Sequence, residues 1–117
     1  MILSEIADIL DAKVLCGDAM LNECVESAFG ADMMSDVLAF VKPHTLVLTG
    51  LVNHHVVRTC SMLDVRCVIF VRGKQPTADI VEEAADSDIM LMTTDHTLYE
   101  SCGMLYGAGL PPVERGI

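Results

Sequence analysis

The chain is poor in basic charge. Seven Lys and Arg stand against 17 Asp and Glu in 117 residues, a formal net charge of −10. Such a chain repels polyanions, which excludes a nucleic-acid binder with a broad basic face and disfavours anionic membrane surfaces. Long apolar runs are also missing. The longest uncharged stretch, between Lys42 and Arg58, is interrupted by Pro43, His44, Asn53, His54 and His55. It falls short of the about 20 apolar residues that a membrane helix needs. The opening Met1-Ile2-Leu3-Ser4-Glu5 has no basic n-region and no small-residue cleavage site, so a soluble, cytoplasmic protein is expected. No repeat, low-complexity block or linker occurs, and the length predicts one domain.

Several catalytic and metal-binding patterns are absent as well. The five cysteines, Cys16, Cys24, Cys60, Cys67 and Cys102, contain no CxxC spacing, and an odd number cannot all pair within one chain. Four of them lie among apolar neighbours, as in Val14-Leu15-Cys16 and Cys67-Val68-Ile69. They are expected to be reduced core thiols, which fits a reducing compartment. There is no GxxxxGK[ST], GxGxxG, HExxH or GxSxG string. His54 and His55 are adjacent and would point about 100° apart on a helix, so they do not share one metal ion. No metal or cofactor is expected. Ser61 and Cys60 fall mid-helix without a histidine partner in view. Glu82, Glu83, Asp86 and Asp88 make a solvated face. Asp32 and Asp36 flank Ser35 at a loop–helix junction, where they cap the helix or bind a cation.

What is present is apolar and regularly punctuated. Hydrophobic residues make up 52% of the chain, enough for a single compact core. Ser4 is positioned to cap a first helix with Ile6, Ile9 and Leu10 on one face, and Lys13 to Cys16 is a short strand. Cys24 to Phe29 alternates as a second strand, and Ser35 caps a helix bearing Val37, Leu38 and Val41. Three apolar runs, Thr45–Thr49, Val65–Val71 and Ile89–Met92, are each bounded by turn residues and predict fully buried strands. Helices starting near Asn53 and Thr77 separate them. A last helix from about Asp95 buries Leu98, Cys102 and Leu105, and Gly107-Ala108-Gly109 with Pro111-Pro112 stops it. The expected architecture is α/β: one compact domain over residues 1–110, a mainly parallel sheet flanked by helices, then a short tail over 111–117.

In open α/β sheets, ligands bind where the strands end. That rule selects Gly50 and Asn53 after the first buried strand, Arg72, Gly73 and Lys74 after the second, and Thr94 and Thr97 after the third. Arg72 and Lys74 are two of only seven basic residues, and they precede a helix N-terminus, where backbone amides favour an anion. The competing reading is an ordinary solvated loop. Eight methionines are present. Met90 and Met92 belong to a buried strand, whereas Met33, Met34 and Met62 are candidates for a self-association surface.

The order of elements and several strings resemble the DRTGG domain, a family similar to the N-terminal domain of HPr kinase/phosphorylase. These strings are Ser4-Glu5-Ile6 with Leu10, Lys13 to Gly17, and Met34-Ser35-Asp36 with Leu38. Lys42-Pro43 before Leu46-Val47-Leu48-Thr49-Gly50, Arg72-Gly73 with Pro76, and Thr94 to Thr97 complete them. The Asp-Arg pair that begins the family's name is absent near Val52-Asn53, and of its Thr-Gly-Gly stretch only Gly73 remains. The resemblance implies a regulatory or assembly module, often dimeric, with no catalytic chemistry of its own. The kinase's P-loop is absent. The leading expectation is therefore a non-catalytic homodimer that senses a small anionic ligand, a nucleotide or another phosphate-bearing molecule. One alternative is a small enzyme acting on a phosphorylated or acyl substrate, with Asp95, His96 or Asp32 as general base. The other is a subunit of a larger metabolic or redox complex.

Overall fold

The computed structural model describes residues 1–114. In chain order the elements are α1 (Leu3–Leu10), β1 (Lys13–Cys16), a 3-10 turn (Asp18–Met20), β2 (Ser27–Gly30), α2 (Met34–Phe40) and β3 (Thr45–Thr49). They continue with α3 (His54–Met62), β4 (Cys67–Phe70), α4 (Ala78–Asp86), β5 (Met90–Thr93) and α5 (Leu98–Gly107). The sheet runs β1-β5-β4-β3-β2. Strands β2 to β5 are mutually parallel, and β1 pairs antiparallel to β5 at the edge.

Each parallel strand lies next to the one before it, so α2, α3 and α4 cross on the same face. Val47, Val68 and Leu91 stand in register across β3, β4 and β5 and meet Val37, Val56, Val57, Cys60 and Ala84 of those helices. The alternate positions Leu48, Ile69 and Met92 turn to the other face, where Leu3, Ile6 and Leu10 of α1 and Leu105 of α5 cover them. This two-sided cover is why β3, β4 and β5 are apolar throughout and wholly buried. Each fully buried Leu, Ile or Phe contributes about 1.5–3 kcal/mol.

Some local expectations fail for nonlocal reasons. Ser4 and Ser35 do not cap their helices: the caps are Ile2 and Met33, neither with a side-chain bond. At α1 the orphan amides find a tertiary partner instead, because Leu3 N donates to Glu23 O and Ser4 N to Leu21 O, both at 2.9 Å. The strand expected over Cys24–Phe29 begins only at Ser27. Before it, Val25 exchanges bonds with Met1 and the chain bridges Ile2 and Cys24. The strand expected over Val65–Val71 narrows to Cys67–Phe70, since Val65 N returns to Cys60 O to close α3. The last helix starts at Leu98 and not near Asp95. Beyond α5 the chain runs back along β2: Ala28 N donates to Pro111 O, Val113 N donates to Ala28 O, and Leu110 and Val113 are buried. Positions 115–117 of the expected tail lie outside the described residues.

No helix among the described residues is long and apolar enough to cross a membrane. All five cysteines are unpaired. Cys60 and Cys67 are buried, and burial pushes the Cys60 thiol up to about 12 and the Cys67 thiol higher than its usual value. Cys16 and Cys102 are half-buried and also raised by desolvation, whereas Cys24 is exposed.

Candidate functional site

The C-terminal ends of β2, β3, β4 and β5 gather on one rim, which follows from their parallel pairing. Lys13, at the start of antiparallel β1, pairs with Thr93 and so also stands at this rim. Sequence reasoning missed Lys13, because a strand's partner and direction are not written in its own four residues.

The centre of the rim is the turn after β4. Arg72 has φ 58° and Gly73 φ 66°, and Lys74 N closes the turn onto Val71 O at 3.2 Å. A left-handed residue bearing a side chain costs roughly 1–2 kcal/mol, so tertiary bonds must hold Arg72 there. Arg72 N donates to His96 O at 2.8 Å, Gly73 N to Thr94 O at 2.9 Å, and Thr93 Oγ1 to Lys74 O at 2.8 Å. Arg72 then reaches back over β3: a Cβ on Gly50 would stand 2.8 Å from its Nη2. Only glycine lets the guanidinium lie against this backbone.

Opposite Arg72 sits Asp32, from the loop after β2. Its Oδ1 accepts from Gly50 N at 2.7 Å and from Thr49 Oγ1 at 3.2 Å. Thr49 Oγ1 in turn accepts from Leu51 N at 3.1 Å. In the sequence Asp32 reads as a cap, a cation ligand or a general base, not as an acceptor on Gly50. The available signal was its place two residues beyond the end of β2, on the rim.

The remaining expected ligand residues are at the rim, but their side chains are engaged. Asn53 caps α3 by accepting from Val56 N at 3.2 Å. Thr94 is buried and donates to Leu10 O at 2.7 Å. Thr97 caps α5 in a reciprocal box with Glu100, and those bonds hold the Glu100 carboxyl below its usual range. Through these bonds the three residues build the rim: Asn53 and Thr97 accept through their side-chain oxygens, and Thr94 spends its hydroxyl proton on Leu10 O. Arg72 and Lys74 take part in no ion pair among the described residues, whereas Arg58 faces Glu83 and Arg66 faces Glu23.

Histidine is used structurally here. His54 Nε2 meets Asp79 Oδ2 at 2.8 Å, and its Nδ1 meets Glu83 Oε2 at 2.6 Å. The two carboxylates, Asp79 first, raise the His54 pKa. The Thr77 hydroxyl bond and then His54 hold Asp79 down at about 2. His96 faces Glu100 at 3.6 Å. No group of three His, Cys, Asp or Glu among the described residues is arranged to hold a metal ion.

A cavity of about 440 Å³ opens elsewhere, beside edge strand β2, and Phe29, Gly30, Phe40, Cys102, Tyr106 and Pro112 contribute to its apolar wall. The rings of Phe29 and Phe40 are 6.0 Å apart. Volume and charge are thus separated, because the cavity holds none of the rim cations. Of the three candidate interface methionines, Met34 is only 4% exposed and packs into the core under α2. That overturns its place on a surface. Met33 and Met62 are 62% and 71% exposed, at opposite ends of the helical layer.

Comparison with known proteins agrees with this fold. The profile of the DRTGG domain matches residues 5–108. A solved structure with the same fold is the crystal structure of the CBS and DRTGG domains of the regulatory region of Clostridium perfringens pyrophosphatase, complexed with its activator, diadenosine tetraphosphate. The TM-score is 0.69 at 19% identity, over 93% of this chain and 47% of that one. The chain therefore spans about half the length of that structure. No curated protein gives a significant match. The match over nearly the whole length makes the chain a member of the DRTGG domain family.

Proposed function

We propose that this domain is a non-catalytic regulatory module that binds a small phosphate-bearing ligand on the rim and acts as a homodimer. The observation that carries the reading is Arg72. It sits in a strained left-handed turn, its guanidinium lies on Gly50, and among the described residues no carboxylate pairs with it within 4.0 Å. In a chain of net charge −10, an anion needs such a local cation to approach at all. Lys74 and Lys13 extend the positive edge. The activator of the pyrophosphatase regulatory region makes dinucleoside polyphosphates the first ligand class to try. Exposed Phe40 and Tyr106, which both line the apolar cavity beside β2, supply apolar surface for self-association, and Met33 and Met62 are exposed separately from it.

The test is a thermal-shift and calorimetric series with diadenosine tetraphosphate, ATP and inorganic pyrophosphate. A ligand held only by the folded form adds about 2.7 kcal/mol at 100 times its dissociation constant. The stabilisation should vanish in Arg72→Ala. Binding that is indifferent to Arg72 removes the site. Light scattering at micromolar concentration checks the dimer, and a monomer at all concentrations removes that part.

A further inference from the structure

We propose that Asp32 is a built-in plug: its carboxylate occupies the donors a ligand phosphate needs and must swing away when the phosphate binds. The inference rests on the rim site proposed above and adds how that site is gated.

Three donors converge at Gly50: its own N–H, the Thr49 hydroxyl and the Arg72 guanidinium. Asp32 Oδ1 already accepts the first two, at 2.7 and 3.2 Å. An anionic oxygen with a backbone amide and a hydroxyl on it is the arrangement a phosphate oxygen adopts. Arg72 Nη2 and Asp32 Oδ1 both lie close above Gly50, at 2.8 and 3.5 Å from the position of a Cβ there. The two opposite charges nevertheless form no ion pair among those within 4.0 Å. The guanidinium is therefore not in direct contact with the group that holds the other two donors. Asp32 itself is exposed on a loop, so it can leave without opening the core. The negative charge of Asp32 and that of a phosphate compete for one place.

The loop gives the exchange a consequence. Ala31 N is tied to Leu48 O at 3.1 Å, and Met33 caps α2 immediately after Asp32. Release of Asp32 loosens the segment between these two anchors, and exposed Met33 lies on it. Phosphate binding at β3 and β4 thus reaches the surface of α2 through one side chain.

The experiment measures binding of inorganic pyrophosphate and diadenosine tetraphosphate, at fixed ionic strength, to wild type, Asp32→Asn, Asp32→Ala and Arg72→Ala. The asparagine keeps an acceptor for Gly50 N while removing the charge, and melting curves check that each variant folds. Both Asp32 variants should bind about tenfold more tightly than wild type. In amide spectra of wild type, the Gly50 and Met33–Asp36 signals should move together as pyrophosphate is added. Equal or weaker binding by both Asp32 variants, with Arg72→Ala still abolishing it, overturns the plug and leaves the rim site standing. Spectral change confined to Arg72–Lys74 also overturns the plug. Indifference to Arg72→Ala overturns the rim site and the plug with it.

Discussion

The helix ends away from the rim and the turn after β4 at the rim use left-handed backbone for different purposes. At the end away from the rim, Asp64 and Asp88 both have φ 56° and each lies two residues past a helix. The next amide returns to the helix in each case, Val65 N to Cys60 O at 3.0 Å and Ile89 N to Ala84 O at 2.9 Å. Aspartate tolerates this conformation, and its task there is to stop a helix. At the rim, Arg72 has nearly the same φ but ends no helix. Arginine is a poor choice for that conformation, and what it gains is the placement of a guanidinium on Gly50. Asp64 and Asp88 punctuate the fold, as does Asp11 (φ 49°) where α1 stops beside the rim, while Arg72 accepts strain to position a charge.

Two glycines sharpen this contrast most strongly. Gly17, at the far end, has φ 85°, and a Cβ there would meet Met90 Cα at 2.8 Å. Backbone cannot move aside cheaply, so Gly17→Ala should cost about 2–4 kcal/mol through strain and overpacking. A fall in the urea midpoint checks it. At Gly50 the 2.8 Å neighbour is the tip of a flexible arginine. Gly50→Ala should change stability by under about 1 kcal/mol yet push the guanidinium off and weaken anion binding at least tenfold. Equal destabilisation by the two changes would erase the distinction between the ends.

Arg72→Gly comes next. It relieves the left-handed strain, worth roughly 1–2 kcal/mol, against a flexibility cost of about 0.5–1 kcal/mol in the unfolded chain. Its melting temperature should equal or exceed that of wild type while anion binding is lost. Asp88→Gly, the matched change at the far end, should move stability by only a few tenths of a kcal/mol and leave binding untouched. If Arg72→Gly clearly destabilises the fold, the residue holds the turn and was not placed for a ligand.

The same contrast explains what was legible in the sequence. Thr45–Thr49 and the core of Val65–Val71 announce themselves because both faces of those strands are covered, and a doubly buried strand must be apolar throughout. Asn53 marks a helix start through a bond spanning three residues, and such local chemistry survives in a linear string, although the same signal at Thr97 lies past the start expected near Asp95. The rim loops could be located by order alone. Their chemistry could not, since Thr94 reaches Leu10 across 84 positions and Asp32 reaches Gly50 across 18. For the same reason Ser4 was misread as a cap, because the amides of α1 are bonded by Leu21 and Glu23.

The smallest expected effect concerns a group near the rim that carboxylates already match. His54 lies between Asp79 and Glu83, joining the first turn of α3 to α4, whereas Arg72 has no such partner. Its folded pKa is raised above the ordinary 6.5. That contribution to stability is complete below pH 6.5 and is lost as pH rises through the higher folded value. Asp79 is shifted oppositely, from 3.8 to about 2, so its contribution is complete above pH 3.8 and is lost as pH falls toward 2. The clip should therefore be strongest between these limits. The melting difference between wild type and His54→Gln should be largest near pH 5, shrink above neutrality, and weaken in high salt, because the pair is solvent-accessible and screened. A difference that stays constant from pH 5 to 9 would mean that His54 packs rather than pairs. The supposed division between a matched and an unmatched cation at this rim would then lose its electrostatic basis.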